Sequence, residues 1–227
     1  MLDPLDTGPA LIDQVHDQLV AAVASGDLKP GQRVTQESVA QMLGVSRQPV
    51  SHALQILKRR GLLVEHGRRG LAVAHMEPER IRDLYQVRAM LDGLAARLAA
   101  RRCQSGAANI NERAALSAAL EKGSALAAAD EKRKLVAADV AFHEALHRLS
   151  GNPEIARTVA EQWPQFMRSM GFVLDAPERA SVIWQEHRSI AEAVLFGNQD
   201  DAEALARAHA DGAARQAVAQ MAEADAA

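Results

Sequence analysis

The sequence predicts a mainly α-helical fold in two parts: a small basic unit of three helices and a hairpin, then an antiparallel bundle of about six helices. Three observations lead there. Hydrophobic residues make up 48% of the chain and aromatics only 3%, a balance that favours close-packed helices over a sandwich or barrel. Apolar residues recur at three- and four-residue spacing along most of the sequence, the period of an amphipathic helix. Charge is also divided. Residues 29–70 carry eight Lys/Arg (29, 33, 47, 58, 59, 60, 68 and 69) against Glu37 and Glu65, a local +6. The whole chain sums to −3, so the remainder carries −9. Only the first part is therefore expected to meet a polyanion.

At 227 residues there is enough chain for two modest domains, each with its own core. The expected boundaries are 1–75 for the basic unit, 76–78 for a linker and 79–227 for the bundle. Cys103 is the only cysteine, so no disulfide framework is possible and the residue reads as a small buried side chain. No apolar run reaches the roughly 20 residues that span a bilayer. The opening MLDPLDTGPA lacks the cationic and apolar segments of a signal peptide. The reading is a cytoplasmic protein without a membrane partner.

Leu11, Val15, Leu19 and Val23 mark the first helix, which Gly26 ends in the left-handed conformation. LKPG is a turn. Thr35 caps a short helix through Leu43, and Gly44 closes it. In the next stretch, GVSRQPVSHALQILKRRG, Ser46 caps a third helix, Pro49 is tolerated within its first turn and Gly61 follows its end. Val50, Leu54 and Leu57 form its buried stripe. Arg47, Gln48, Ser51, His52, Gln55 and Lys58 face outward. LLVEHGRRGLAVA then reads as two short strands around a doubly basic tip. A pair of short helices joined by a glycine-containing turn has the spacing of a helix-turn-helix, and the basic hairpin after it is a wing. The second helix of such a unit enters the major groove by its N-terminal end. Arg68 and Arg69 on the wing are expected along the phosphate backbone or in the minor groove.

These residues resemble the winged helix of the GntR family of bacterial transcription regulators. The resemblance is carried by GDLKPGQRV at 26–34, LGVSRQPV at 43–50 and GLL with HGRRG at 61–70. It implies DNA contacts from Ser46, Arg47, Gln48, Ser51 and the wing. One departure matters: the family usually continues Pro-Val-Arg-Glu-Ala-Leu, and here Ser51 and His52 replace the arginine and glutamate. An arginine grips phosphate or reads guanine bidentately, while a serine offers a short hydroxyl. No operator sequence is therefore carried over.

Past HMEP at 75–78, the apolar spacing predicts helices throughout. Ile81, Leu84, Val87, Leu91, Leu94 and Leu98 mark a long one ending near Cys103. Others are expected at about 107–128, 131–149, 154–173, 178–196 and 200–224, with breaks at SGNP and GNQD. In DVAFHEALHRL, residues 139–149, Asp139 and His143 stand four apart on one helical face, about 5–6 Å between Cβ atoms. His187 lies 11 residues before Asn198 and His209 lies 11 after it. In an antiparallel hairpin both are about 16 Å from the turn, level with each other on adjacent helices. One carboxylate and three imidazoles suit zinc, nickel, manganese or iron, with positions left open for water or a ligand.

DVAFH, SGN and QEHRSIAEAVLFGNQDDAEALARAH resemble the all-helical, FCD-type ligand-binding domain of the FadR subfamily. Many of its members hold a metal by Asp-x-x-x-His and two later histidines, which implies Asp139, His143, His187 and His209 as ligands of one divalent ion, zinc first. His147 falls outside that pattern and is expected to line the cavity or face solvent. VRAMLDGLAARLAA resembles the domain's first helix, with Asp92 where the family usually has glutamate. Arg88 would then point inward, either as a partner for a carboxylate effector or as a structural bridge to an acidic neighbour.

The resulting expectation is a ligand-responsive regulator, not an enzyme. It would bind a palindromic double-stranded operator as a homodimer and act as a repressor, with a small organic acid as its effector. The alternative is a metal-dependent hydrolase or lyase with an accessory DNA-binding domain. Such an enzyme needs a general acid or base beside its open metal site, and Glu144 and Glu186, though adjacent to ligands, are expected on other helical faces. The chain has no HExxH, GxSxG or glycine-rich phosphate loop. Trp163 and Trp184 read as core or cavity wall.

Overall fold

The computed structural model describes residues 11–67, 70–127, 132–174 and 177–226. The chain divides into two compact units, Met1–His75 and Met76–Ala227.

In the first unit α1 (Leu11–Ala24), α2 (Gln36–Leu43) and α3 (Arg47–Arg59) pack around Val15, Leu19, Val39, Val50, Leu54 and Leu57, all buried. Thr35 and Ser38 cap α2 reciprocally, each side chain bonding the other's backbone N–H. Gly44 stops the same helix at φ 65°, a left-handed conformation that costs a glycine little. A three-stranded antiparallel sheet follows in the order β1-β3-β2, from Arg33–Val34, Gly70–Val73 and Leu63–His66. The hairpin β2–β3 was legible as a wing. The two-residue β1 was not, since Arg33–Val34 is too short to show alternation and forms only because β3 lies beside it. Leu11, read as the first position of the buried stripe of α1, is exposed.

The second unit consists of α4 (Pro78–Gln104), α5 (Ile110–Leu126), α6 (Lys132–Leu149), α7 (Pro153–Ala160), α8 (Trp163–Val173), α9 (Pro177–Phe196) and α10 (Gln199–Ala226). The single helix expected over 154–173 is thus two. Pro164 sits in the first turn of α8, where it has no N–H to donate and its ring would meet the carbonyl of Ala160 in a continuous helix.

The larger departure concerns which face of α4 is buried. The apolar stripe suggested Ile81, Leu84, Val87, Leu91, Leu94 and Leu98, of which Ile81 is buried and Leu84, Leu91 and Leu98 are half-buried against the core. Instead α4 buries Tyr85, Arg88, Ala89, Asp92, Ala96, Ala99 and Ala100, while Val87 and Leu94 stay exposed. α10 supplies Ala202, Ala206, Ala210 and Ala217 to the core, and α4 and α10 make the most extensive helix pair of the unit. Small side chains let two backbones approach closely and make many dispersion contacts per residue. Alanine therefore outcompetes leucine for this face. The approach is tight enough that a Cβ on Gly93 would lie 2.5 Å from Arg207 Cγ.

Gly123 on α5 shows the same constraint against an aromatic neighbour, since a Cβ there would fall 1.8 Å from the Trp184 ring of α9. Gly212 on α10 has only the Arg215 guanidinium near it, at 3.9 Å. Gly123→Ala should therefore destabilise the protein by about 1–3 kcal/mol through overpacking. Gly212→Ala should stabilise it by up to about 1 kcal/mol through helix propensity. Urea denaturation of the two variants checks both signs; equal midpoints would remove the Trp184 contact as the reason for a glycine at 123.

Candidate metal centre and nucleic-acid interface

The bundle interior collects polar side chains that an alanine-rich core would otherwise exclude. Arg88 and Asp92 come from α4, Asp139, His143 and His147 from α6, His187 from α9 and His209 from α10, and all are buried. Those on α4 and α6 recur every four residues on the inward face of the helix. The turn at Gly197 and Asn198 makes α9 and α10 neighbours. His187 and His209 then meet as the hairpin geometry requires, with Nε2 atoms 3.1 Å apart.

His143, His187 and His209 each offer one ring nitrogen within 4.8 Å of the others, close enough to hold a metal ion together. Asp139 flanks them, with Oδ1 3.5 Å from His187 Nε2 and Oδ2 3.7 Å from His143 Nε2. Two of the outer nitrogens lie near carboxylates, while His187 Nδ1 is buried without a hydrogen-bond partner. His209 Nδ1 donates to Glu186 Oε2 at 2.7 Å, and His143 Nδ1 lies 3.3 Å from Asp92 Oδ2. Carboxylates in that position set the tautomer of a ligating imidazole and raise its basicity. With its proton on Nδ1, His209 turns a lone pair toward His187, and two inward nitrogens so close require a cation or a shared proton between them. Asp139 Oδ2 and His143 Nε2 are buried without any hydrogen-bond partner. Unpartnered acceptors facing one point fit a cation better than a proton already shared elsewhere.

Two of the imidazoles, His143 and His187, are held neutral, the form that binds metal. Burial, reinforced by the Arg88 charge and opposed by Asp92 and Asp139, lowers His143 to about 4. Burial and the neighbouring His209 and His143 likewise push His187 well down. Asp92 goes the opposite way from what burial alone would dictate. His143, His147 and Arg88 outweigh the desolvation and keep its carboxylate well below the usual range.

Asp92 was noted in the sequence only as a replacement for the family's glutamate, and its role there was missed. Its Oδ2 accepts from Arg88 Nε at 3.1 Å and its Oδ1 from His147 Nε2 at 2.6 Å. His147 is therefore buried against Asp92 and does not face solvent. Glu186 was expected on another face of its helix. It does point away from His187, and for that reason reaches His209 on the next helix. Counting from the GNQD turn would have found it, since it stands 12 residues before Asn198. Of the two readings left open for Arg88, the structure shows the bridge to an acidic neighbour. Arg88 bridges to Asp92, and its Nη2 has no partner. Phe166, Tyr85 and Trp163 rings lie 4.8, 5.3 and 5.4 Å from its Cζ.

In the first unit, Ser46, Arg47, Gln48 and His52 are exposed at the N-terminal end of α3, and Ser51 is half-buried. Ser46 occupies the N-cap position, but its hydroxyl makes no cap bond. Arg47 pairs with Glu37 at 2.7 Å, both side chains exposed, so the pair is weak and easily exchanged. Ser51 accepts from Gln36 at 3.1 Å. Arg68 and Arg69 lie outside the described residues. Among the described residues, no helix is long and apolar enough to cross a membrane.

A winged helix-turn-helix with an exposed recognition helix, and a helical domain with a buried polar centre, define a DNA-binding transcription regulator. Residues 11–73 match the bacterial regulatory proteins of the gntR family and residues 83–212 match the FCD domain. The chain belongs to the GntR family, in its FCD-containing group. The HTH-type transcriptional regulator YdhC of Bacillus subtilis is 28% identical over 198 residues, 86% of each chain. The probable D-xylose utilization operon transcriptional repressor of Paenarthrobacter nicotinovorans is 28% identical over 198 residues, covering 87% of this chain and 84% of that one. Among solved structures, E. coli McbR/YncC has a TM-score of 0.78 at 19% identity, covering 96% of this chain and all of its own. A GntR regulator from Rhodococcus sp. RHA1 has a TM-score of 0.76 at 22% identity, covering 92% and 97%. The protein is a transcription regulator and not an enzyme.

Two measurements check the centre. Asp92→Asn removes the charge that Arg88 and His147 face, and should cost about 3–5 kcal/mol, the penalty for breaking a buried ion pair. An unchanged urea midpoint would mean that neither side chain depends on the carboxylate. The second concerns pH. In metal-free protein the folded His143 titrates at about 4 and the unfolded one at its ordinary 6.5. Between those values the unfolded state binds more protons, so stability should fall as pH drops through that window. Calorimetry of chelated protein from pH 7 to 4.5 should show a falling melting temperature; a rising one would contradict the assignment.

Proposed function

We propose that this regulator binds a palindromic operator as a homodimer and represses transcription, with a small organic acid at a metal centre controlling its hold on DNA. The metal would be held by Asp139, His143, His187 and His209. One divalent transition ion per chain is expected, zinc first, with nickel, manganese or iron accepted by the same donors. The observation that carries the reading is the convergence of three ring nitrogens and the Asp139 carboxylate, with Asp139 Oδ2 and His143 Nε2 left unpartnered in a buried interior. When bound, such an ion supplies a Lewis-acidic seat for a carboxylate oxygen. The chain's own residues do the rest. Asp92 and Glu186 orient two imidazoles, and the Arg88 Nη2 donor is free to take the effector's second oxygen. Repression is supported by the name of the Paenarthrobacter relative.

On the DNA side, Ser46, Arg47, Gln48, Ser51 and His52 would face the major groove, with Arg68 and Arg69 on the backbone. One recognition helix reads too few base pairs for useful specificity, which argues for a two-fold dimer on two half-sites. The expected compartment is the cytoplasm, where DNA is available.

Elemental analysis should find about one transition metal per chain in wild type and markedly less in His187→Ala. A chelator should lower the melting temperature, because a ligand of the native state stabilises it by mass action. Metal retained undiminished in His187→Ala would remove that histidine from the centre. In gel shifts on a selected operator, Arg47→Ala should cost about 1–3 kcal/mol, the worth of a good base contact. Wild-type affinity would overturn the groove assignment.

A further inference from the structure

The exchange of faces on α4 leaves an apolar surface uncovered, and it borders the centre. Leu84, Val87 and Leu91 of α4 face Val159 of α7 and Phe166 of α8 across a groove of about 360 Å³, within the size range of small-molecule sites. Arg80, Asp83, Thr158 and Glu161 stand at its exposed mouth. Arg88 lines this groove and also a second cavity on its other side, beside Asp139 and His209. That inner cavity measures only about 10 Å³, room for one water-sized group. Among the described residues, then, the guanidinium lies between a tight cavity, where Asp139 and His209 are the other charged or imidazole groups among Met170, Val173, Leu174 and Ile183, and a roomy apolar groove. Its Nη2 is buried and unpartnered.

We propose that the effector is a carboxylic acid with an apolar body. Its head sits at Arg88, and its hydrocarbon part lies in the groove between α4 and α7–α8. The proposal rests on the reading of a carboxylate effector at this centre and adds its chemical class. The inner cavity has room for about one oxygen of a head group and nothing larger. A longer molecule must extend to the other side of Arg88, where Leu84, Leu91, Val159 and Phe166 offer apolar contact. A purely polar acid of any length would leave the exposed parts of Leu84, Val87 and Leu91 wet and gain nothing from them. The single buried donor nitrogen matches one carboxylate, and the mixed charges at the mouth do not call for a second anionic group deep in the groove.

Straight-chain monocarboxylates from acetate to octanoate, titrated calorimetrically into the full-length metal-loaded protein, provide the test. Each methylene that reaches the groove should tighten binding by up to about fourfold, which is 0.8 kcal/mol per buried CH₂. Val87→Trp, at an exposed position on the groove wall, and Leu91→Trp should abolish that gain. Both should leave acetate affinity and metal content near wild type, and Val87→Trp, at the exposed position, the melting temperature as well. Affinity that is flat from acetate to octanoate in wild type overturns the proposal, even where acetate binds only with metal present and the carboxylate reading stands. A chain-length gain that both tryptophan variants retain also overturns it, because the hydrocarbon would then lie elsewhere. Octanoate binding equally to His187→Ala and to wild type, with the gain lost in the tryptophan variants, supports the groove and refutes the metal bridge. No binding of any acid refutes both.

Discussion

Asp92 accepts from Arg88 and His147 and lies against His143, so one buried carboxylate ties together a cation, a candidate metal ligand and a second imidazole. Without it, Arg88 would be an isolated charge in an alanine-rich interior, a state proteins avoid by expulsion or neutralisation. With it, the guanidinium can stay charged and inside the bundle. The carboxylate also lies 3.3 Å from the outer nitrogen of His143, while the inner one faces His187, His209 and Asp139. The polar centre is thus one network, with Arg88 at one end and Glu186 at the other, strung across α4, α6, α9 and α10.

Such a network constrains the packing around it. To bring Arg88 and Asp92 inward, α4 must turn the face that also carries Ala89, Ala96 and Ala99 toward α10. The leucines one position round are then displaced to the rim. Small side chains make that exchange tolerable, because backbones in close approach recover by dispersion what is lost in apolar area. The rim left behind is the groove wall. The chemistry of the interior and the apolar surface next to it have a common origin in the rotation of one helix.

The DNA-binding unit follows simpler rules. Capping at Thr35, a left-handed Gly44 and a buried stripe on α3 suffice to present Arg47, Gln48 and His52 to solvent. The hydroxyl of Ser46, free of any capping bond, and the helix dipole behind it make this end of α3 suited to phosphate or base edges. The weak Arg47–Glu37 and Ser51–Gln36 contacts keep those side chains oriented while leaving them exchangeable.

By itself the sequence determined the helical class, the division between a basic unit and an acidic one, and most element ends, because caps, glycines and prolines act over a few residues. It also determined that His187 and His209 stand level, since a hairpin about GNQD converts counting into distance. Only the tertiary structure decided which face of α4 is buried, because leucine and alanine stripes compete and the winner depends on how closely α10 approaches. The split between α7 and α8 was legible in principle at Pro164 but was masked by apolar spacing that runs through it. The partners of Asp92 were not legible. A side chain four residues from a ligand on its own helix and one reaching across from the next look alike in sequence, and only packing distinguishes them.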